Sequence, residues 1–468
     1  MLPEPTPARR RLKLVWPTLM AIVIIAYVWH FTRLTLDFHH GVGTASYDLG
    51  LYDQGVWLMS RFEAPFVTMM GRNLMGDHTS FILVFLVPLY WLWPSVGVLL
   101  FTQAAAIGAA ALPVYLYARR RLRSGWMALL AGCTFLLHPA VSWTNMENYH
   151  PDAYVALFVG FALYGALERR WAIYTVFVVL ALLVKEDVSL VVVPLGIWVA
   201  LRRDRRIGLL TVIGSLAFMA LAMLVVMRSL IGVSTRNTWR IPFGGPGGFV
   251  KEAAVRPWNV VRHMLSEERS WYLWQMTAPL AYVWLRLPDV ALISALVLCT
   301  NVISTYFYQY SIMYHYSLIA VPALVIGTVY AIGAVRAAWR PALIGVVTAT
   351  SLVTAYLWSP LPFSRIVIPY WGGAHPVAQG LRDIITLIPD DASVSAYYSA
   401  APHVSHRVEI YQFPTPFRAV LYGVEFEMEN HRLQARADGV DYILLPLELE
   451  DDQARDLAAV LPAFDLVT

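Results

Sequence analysis

The chain has 468 residues, of which 58% are hydrophobic and only 14% charged, with a mean hydropathy of +0.56 and a formal net charge of +4. Soluble globular domains carry about 25% charged residues, so this composition excludes a cytosolic enzyme, a fibrous protein and a disordered chain. It points to a polytopic membrane protein. The two cysteines, Cys133 and Cys299, fall inside apolar runs, which excludes a disulfide framework and gives no metal-site spacing.

A span needs about 20 mostly apolar residues. Residues 14–31 supply the first, behind the basic run Arg9-Arg10-Arg11-Leu12-Lys13. The flank that follows offers no small-residue cleavage site, so the segment reads as a retained helix and not a signal peptide. Further spans fall at roughly 96–118, 126–142, 153–167, 172–184, 188–201, 207–227, 271–286, 288–304, 317–335 and 341–358, which makes eleven. With the N-terminus inside, the turns that become cytoplasmic hold 17 cations and four acids, whereas the opposite loops within 1–375 hold 12 of each. Arginine bias therefore sets the N-terminus in, and the odd span count sets the C-terminus out. The apolar run 81–93 is too short to span and contains Pro88. It reads as an interfacial or re-entrant helix within one large outer loop, 37–95.

That loop opens with Ser46-Tyr47-Asp48-Leu49-Gly50-Leu51-Tyr52-Asp53-Gln54. Tyr52, Val56 and Met59 share helical spacing, which predicts an amphipathic helix lying on the membrane. Asp48 would cap that helix or face a cavity; Asp53, roughly 140° around, would join it there only if Gly50 interrupts the helix. Asp77-His78 closes the loop as a metal pair, a proton relay or a solvated turn. The second outer turn brings Glu147, His150 and Asp152 within six residues, between two apolar helices. The third is Lys185-Glu186-Asp187, charge at membrane depth, where Lys185 would suit a phosphate and the alternative is an internal salt-bridged turn. Gly244-Gly245-Pro246-Gly247-Gly248 reads as a loop or a lid. The aromatic run Tyr306 to Tyr316, with Tyr310 and His315 inside it, is either an interfacial belt or a wall that stacks on sugar rings.

Prolines mark a linker over 359–375, after which 376–468 carries 15 acids and six cations. Its pattern predicts a helix near 376–388, strands at 393–396, 408–411 and 442–445, a helix at 451–460 and a last strand at 463–467, a small α/β domain without a phosphate loop or nucleophile elbow. The fold class is thus an all-α membrane domain, 1–358, with a small extracytoplasmic α/β domain.

Asp48-Leu49-Gly50 with Gln54, Gly76-Asp77-His78 with Pro88-Leu89-Tyr90, Glu147 with His150-Pro151, Lys185-Glu186-Asp187, Asn301-Val302-Ile303-Ser304 with His315-Tyr316, and Pro402-His403, Arg407, Tyr411 and Phe413-Pro414 in the tail together resemble the bacterial membrane-protein family known as domain of unknown function 2079. That family is similar to the GT-C glycosyltransferases. The resemblance implies a polyprenyl-phosphate sugar donor, an outer-face active site and a catalytic carboxylate in the first outer loop, where Asp48 matches. The second-loop acid would be Glu147 or Asp152. Metal dependence is not carried over by the resemblance, and a divalent metal stays open, with Asp77 and His78 as its ligands if there is one.

The expected protein is a multi-pass glycosyltransferase of the bacterial cytoplasmic membrane. It would use Asp48, Asp53, Glu147 or Asp152 for catalysis and Lys185, Glu186, Asp187, His78, His150, Tyr310, His315 and Tyr316 for substrate. Its partners would be membrane lipids, the lipid-linked sugar and an extracytoplasmic acceptor, with no nucleic acid. A transporter or flippase would instead need charge at the bilayer centre and a hydropathy repeat, and a non-catalytic assembly protein would not need the carboxylates.

Overall fold

The computed structural model describes residues 7–235, 237–421 and 429–467. Helices dominate. Five are long and apolar enough to cross a membrane: Leu14–His40, Val96–Leu122, Arg205–Ile231, His315–Gly333 and Ala337–Trp358; the bent pair Gly125–Leu137 and Pro139–Met146 makes a sixth. The other expected spans are shorter helices, such as Ala153–Leu167 and Trp171–Leu182. Among the described residues five helices, or six with the bent pair, thus meet the length and composition of a full span, and the remaining expected spans are shorter than that. The expected span 271–286 is interrupted: a helix at Arg269–Thr277 gives way to short turns around Pro279, with Ala281 and Tyr282 in the left-handed region. The Pro279 carbonyl exposed by that break accepts from the hydroxyls of Thr350 and Ser351, the kind of local repair a broken helix needs in lipid.

Local chemistry explains the helix ends. Ser95, Ser124 and Asp204 each accept from a backbone amide of the first turn they precede. Pro139 has no amide to donate and bends its helix pair by 49°. The helices differ in what they face. Only 11% of the apolar window of Leu14–His40 and 17% of that of Arg205–Ile231 is buried, against 83% for His315–Gly333, so the last is central and the first two line the lipid-facing rim. Ser189–Arg202 and Arg205–Leu221 approach closely at Gly208, where an added Cβ would lie 2.2 Å from the Ala200 nitrogen. Small residues at such contacts are how helices associate without a hydrophobic drive.

The arginine turns gather at one end. Arg120 pairs with Glu168 at 3.3 Å, Arg202 with Asp289 at 3.8 Å, and Arg340 donates to the Gly333 carbonyl beside Arg121. The loops between helices at the other end meet the C-terminal segment.

That segment holds a three-stranded parallel sheet in the order Ile410–Gln412, Val394–Ala396, Tyr442–Leu444, with helices at Pro376–Ile385 and Asp451–Val460. The last expected strand is absent: a turn at Leu461–Ala463 leads to unpaired chain, and Phe464 packs on Phe417. The sheet does not stand apart. Val394, Ala396, Ile410 and Leu444 belong to the same buried core as the membrane helices, and only a small cluster around Tyr411, Phe413 and Val460 is separate. In consequence the helix Leu51–Ser60 does not lie on the membrane surface as its periodicity suggests; it is buried on nearly all sides between the helices and this segment.

Candidate functional site

Asp48 sits in the tight turn Ser46–Gly50 with φ +70° and ψ −83°, a conformation that is rare and costly for a residue with a side chain. The break in the helix therefore falls at Tyr47 and Asp48 and not at Gly50, which is helical. The Leu51–Ser60 helix has no side-chain cap, so Asp48 is not its N-cap. Its carboxylate instead lies 3.4 Å from His150 Nε2.

The second loop reaches this point because of the Pro139 bend and Gln103. Glu147 follows directly on the bent helix Pro139–Met146. From the helix Val96–Ala109, Gln103 accepts from the His150 amide at 2.9 Å and donates to the Asn148 carbonyl at 2.7 Å. Glu147 then accepts from the His315 amide at 2.5 Å and lies 3.0 Å from His315 Nδ1 and 3.4 Å from His150 Nε2. The two imidazoles stack with centroids 3.6 Å apart. Burial pushes Glu147 up, but the adjacent His315 and His150 outweigh it and hold the carboxyl below its usual range. Burial likewise opposes charge on His150, yet Asp48 and Glu147 prevail and raise it well above its ordinary value.

Lys185 is buried between Asp152 Oδ1 at 3.7 Å and Asp187 Oδ2 at 3.8 Å, with its ammonium 5.8 Å from the Tyr316 ring centroid. Against its desolvation, these acids keep the lysine charged, with its pKa well above the ordinary value. Glu186 turns the other way. It lies 2.7 Å from His78 Nδ1 and accepts from the Thr79 amide at 3.1 Å. Burial would raise its pKa, but the His78 charge and hydrogen bond, with Lys185 behind them, hold it well below the carboxylate range.

Asp48, Glu147, Asp152, His150, Lys185, Asp187, His315 and Tyr316 thus converge. Other expected residues do not. Asp53 is fully buried in a separate cluster, accepting from Tyr90 OH at 2.6 Å and Ser405 Oγ at 2.5 Å, with His406 Nε2 at 3.0 Å. Tyr310 donates to Glu267 at 2.7 Å under the Arg269 guanidinium. Asp77 pairs with Arg72 and His78 with Glu186, so the two side chains of this step turn to different partners. Among the described residues, Glu147, His150 and His315 are the group whose ligand atoms lie within 4.8 Å of one another. One carboxylate and two imidazoles suit a borderline divalent cation such as zinc.

Two site residues escape a reading of the sequence. Gln103 hides inside an apolar span, where a single polar residue is its only signal. Arg240 comes from the segment after the Arg205–Ile231 helix; its guanidinium stacks 4.2 Å from the Tyr306 ring and donates to Tyr316 OH at 3.2 Å. Lys185 and Arg240 therefore flank the same tyrosine.

Exposure separates the acids. The side chains of Asp48 and Asp187 are 37% and 44% exposed, whereas those of Glu147 and Asp152 are 11% exposed. Asp48 and Asp187 are thus the more open of the four, while Glu147 and Asp152 are enclosed by the residues they pair with.

Helical spans with carboxylates, imidazoles and one lysine gathered at one end define a multi-pass membrane protein with a buried polar site. The fold is shared with ArnT from Cupriavidus metallidurans: its apo structure matches with a TM-score of 0.54 over 95% of each chain at 14% identity. The structure of ArnT from the same organism bound to undecaprenyl phosphate matches 84% of this chain and 85% of that one, with 13% identity and a TM-score of 0.49. No curated protein matches the chain. The family model described as "Predicted membrane protein (DUF2079)" matches residues 39–459, and the chain belongs to that family.

Proposed function

We propose that this protein is a GT-C-type glycosyltransferase that moves a sugar from a polyprenyl-phosphate donor to an acceptor, whether glycan, lipid or protein, outside the bacterial cytoplasmic membrane. One observation carries the reading: within an ArnT-like fold, the solvent-open carboxylate of Asp48 and the buried cation of Lys185 lie in one connected cluster at one end of the helices. In the reaction an acceptor oxygen attacks the anomeric carbon, the bond from that carbon to the phosphate oxygen breaks, and the polyprenyl phosphate leaves with the electron pair. Asp48 takes the acceptor proton or orients the acceptor. Lys185, with Arg240 across Tyr316, neutralises the phosphate; its contacts to Asp152 and Asp187 exceed 3.5 Å and leave room for a stronger anionic partner. Residues 1–358 form the membrane domain, 359–375 a linker, and 376–468 an extracytoplasmic segment.

The test is transfer of radiolabelled sugar from a polyprenyl phosphate by the purified protein. Asp48→Asn preserves shape and should cost at least about a hundredfold in turnover, since a general base contributes about 10²–10⁴-fold. Lys185→Met should weaken donor binding roughly tenfold to a hundredfold, the value of a charge-assisted bond of about 1.5–3 kcal/mol. Near-normal turnover in Asp48→Asn would move the carboxylate role to another acid. A Lys185→Met protein that fails to insert would make the Asp152–Lys185–Asp187 contacts structural.

A further inference from the structure

We infer that the C-terminal segment is a positioning element of the site: through Tyr398 and Gln412 on one side and Ser405 to Val408 on the other, it holds Asp48 in its left-handed conformation, facing His150. The inference rests on the reading of Asp48 as the reactive carboxylate, and it adds to that reading a part of the chain that carries no catalytic motif.

A residue with a side chain does not stay at φ +70° and ψ −83° unaided; the surrounding structure must over-determine it. Within the turn the constraints are few. The Gly50 amide reaches the Ala45 carbonyl at 3.3 Å. The Leu51 amide reaches the carbonyls of Ser46 and Asp48, and three further anchors come from far along the chain. The Ser46 amide donates to the Tyr398 carbonyl at 2.8 Å, and the Ser46 hydroxyl donates to the side-chain oxygen of Gln412, at the end of the strand Ile410–Gln412. The Ala45 amide donates to Asn148 Oδ1 at 3.2 Å.

The other flank is fastened to the same segment. Asp53 accepts from Ser405 Oγ at 2.5 Å, and Gln54 Nε2 donates to the carbonyls of Arg407 and Val408 at 3.2 and 3.0 Å. Thr68, farther along the loop, exchanges two hydrogen bonds with Ile410. The chain on both sides of Asp48 is thus tied to residues 398–412, while Asp48 itself is left open. Gln412 and Ser405 are buried or half-buried and lie behind the turn. They act through Ser46 and Asp53, so they are positioning residues and not catalytic ones.

The experiment uses the full chain and two readouts, sugar transfer and amide hydrogen exchange over residues 44–52. Gln412→Ala removes the acceptor of the Ser46 hydroxyl; Gln412→Glu keeps one. Gln412→Ala is expected to lower kcat about tenfold at unchanged donor KM and to speed exchange in 44–52, while Gln412→Glu does neither. Ser46→Ala should reproduce Gln412→Ala, and the double variant should be no worse than either, since both remove one link. The inference is overturned if Gln412→Ala leaves exchange and kcat unchanged while Asp48→Asn is inactive. It is also overturned if Gln412→Ala loosens the whole protein evenly with a matching fall in Tm. If Gln412→Ala speeds exchange in 44–52 but Asp48→Asn turns over normally, the segment holds the turn as inferred and the carboxylate assignment is what fails.

Discussion

His150 lies between two carboxylates, Asp48 and Glu147, with the His315 ring stacked on it. Their charges raise its pKa above the ordinary 6.5, so folding favours the protonated imidazole. The stability this supplies is fully present below pH 6.5 and is lost as pH rises through the raised value. Thermal stability of the solubilised protein should therefore fall on the alkaline side, and His150→Gln should flatten that slope. His406, raised by Asp53 against its burial, titrates in the same direction, so His406→Gln is measured beside it; an unchanged slope in His150→Gln would place the effect at the tail. At this scale much of the site could be read from the sequence. In a chain with 14% charge, Glu147, Asp152 and Lys185 stand out because nothing else explains a charge between apolar helices. What could not be read is which of two aspartates five residues apart faces the site. The partner that claims Asp53 is Ser405, 352 residues away, and no local pattern encodes it.

At the scale of elements, hydropathy located the helices but not their lengths. Proline breaks such as Pro139 and Pro279 leave mean hydropathy high while ending the helix. The amphipathic tail helices were plain because half of each faces water, and Asp451–Val460 matches its expected bounds. The expected last strand at 463–467 failed because a short apolar run needs a neighbour to pair with, and the sheet ends without it. Helix contacts also carry information that hydropathy ignores. A side chain at Gly208 would collide with the backbone of Ala200 and the Gly196 carbonyl, which cannot move aside as a side-chain tip would. Gly208→Leu is expected to cost about 1–3 kcal/mol, the usual penalty for overpacking, and to lower transfer activity, because the helix it displaces begins at Ser189, just after Lys185 and Asp187. Gly214, on the same helix Arg205–Leu221, has nothing within 4 Å of an added Cβ. Gly214→Leu is the matched control, and equal melting temperatures for the two variants would dismiss the close contact as unimportant.

For the whole molecule, the two ends of the helical body differ in chemistry, and that difference carries an expected orientation. The basic end gathers Arg120 with Glu168, Arg202 with Asp289, and Arg340 with Gly333 beside Arg121. The polar end gathers loops 46–54, 147–152, 185–187 and 304–316, and the Arg240 carbonyl joins them by accepting from the Thr305 amide at 2.8 Å. Successive connections alternate between these ends. The first helix, Pro7–His40, finishes at the polar end, where the His39 ring stacks on His403; its N-terminus therefore lies at the basic end. The C-terminal segment is bonded to the polar end through Ser46, Gln54 and Thr68. The start of the first described helix and the C-terminal segment are consequently at opposite ends of the helical body. Arginine-rich turns stay on the cytoplasmic side, and 17 cations against four acids is a strong bias. The N-terminus is expected in the cytoplasm and the tail outside it. A reporter that is active only in the cytoplasm, fused after Ala463, should be silent, and one active only outside should report. The opposite pattern would put the Asp48 cluster on the cytoplasmic face, where an extracytoplasmic acceptor cannot reach it, and would remove the proposed transferase reading along with the topology.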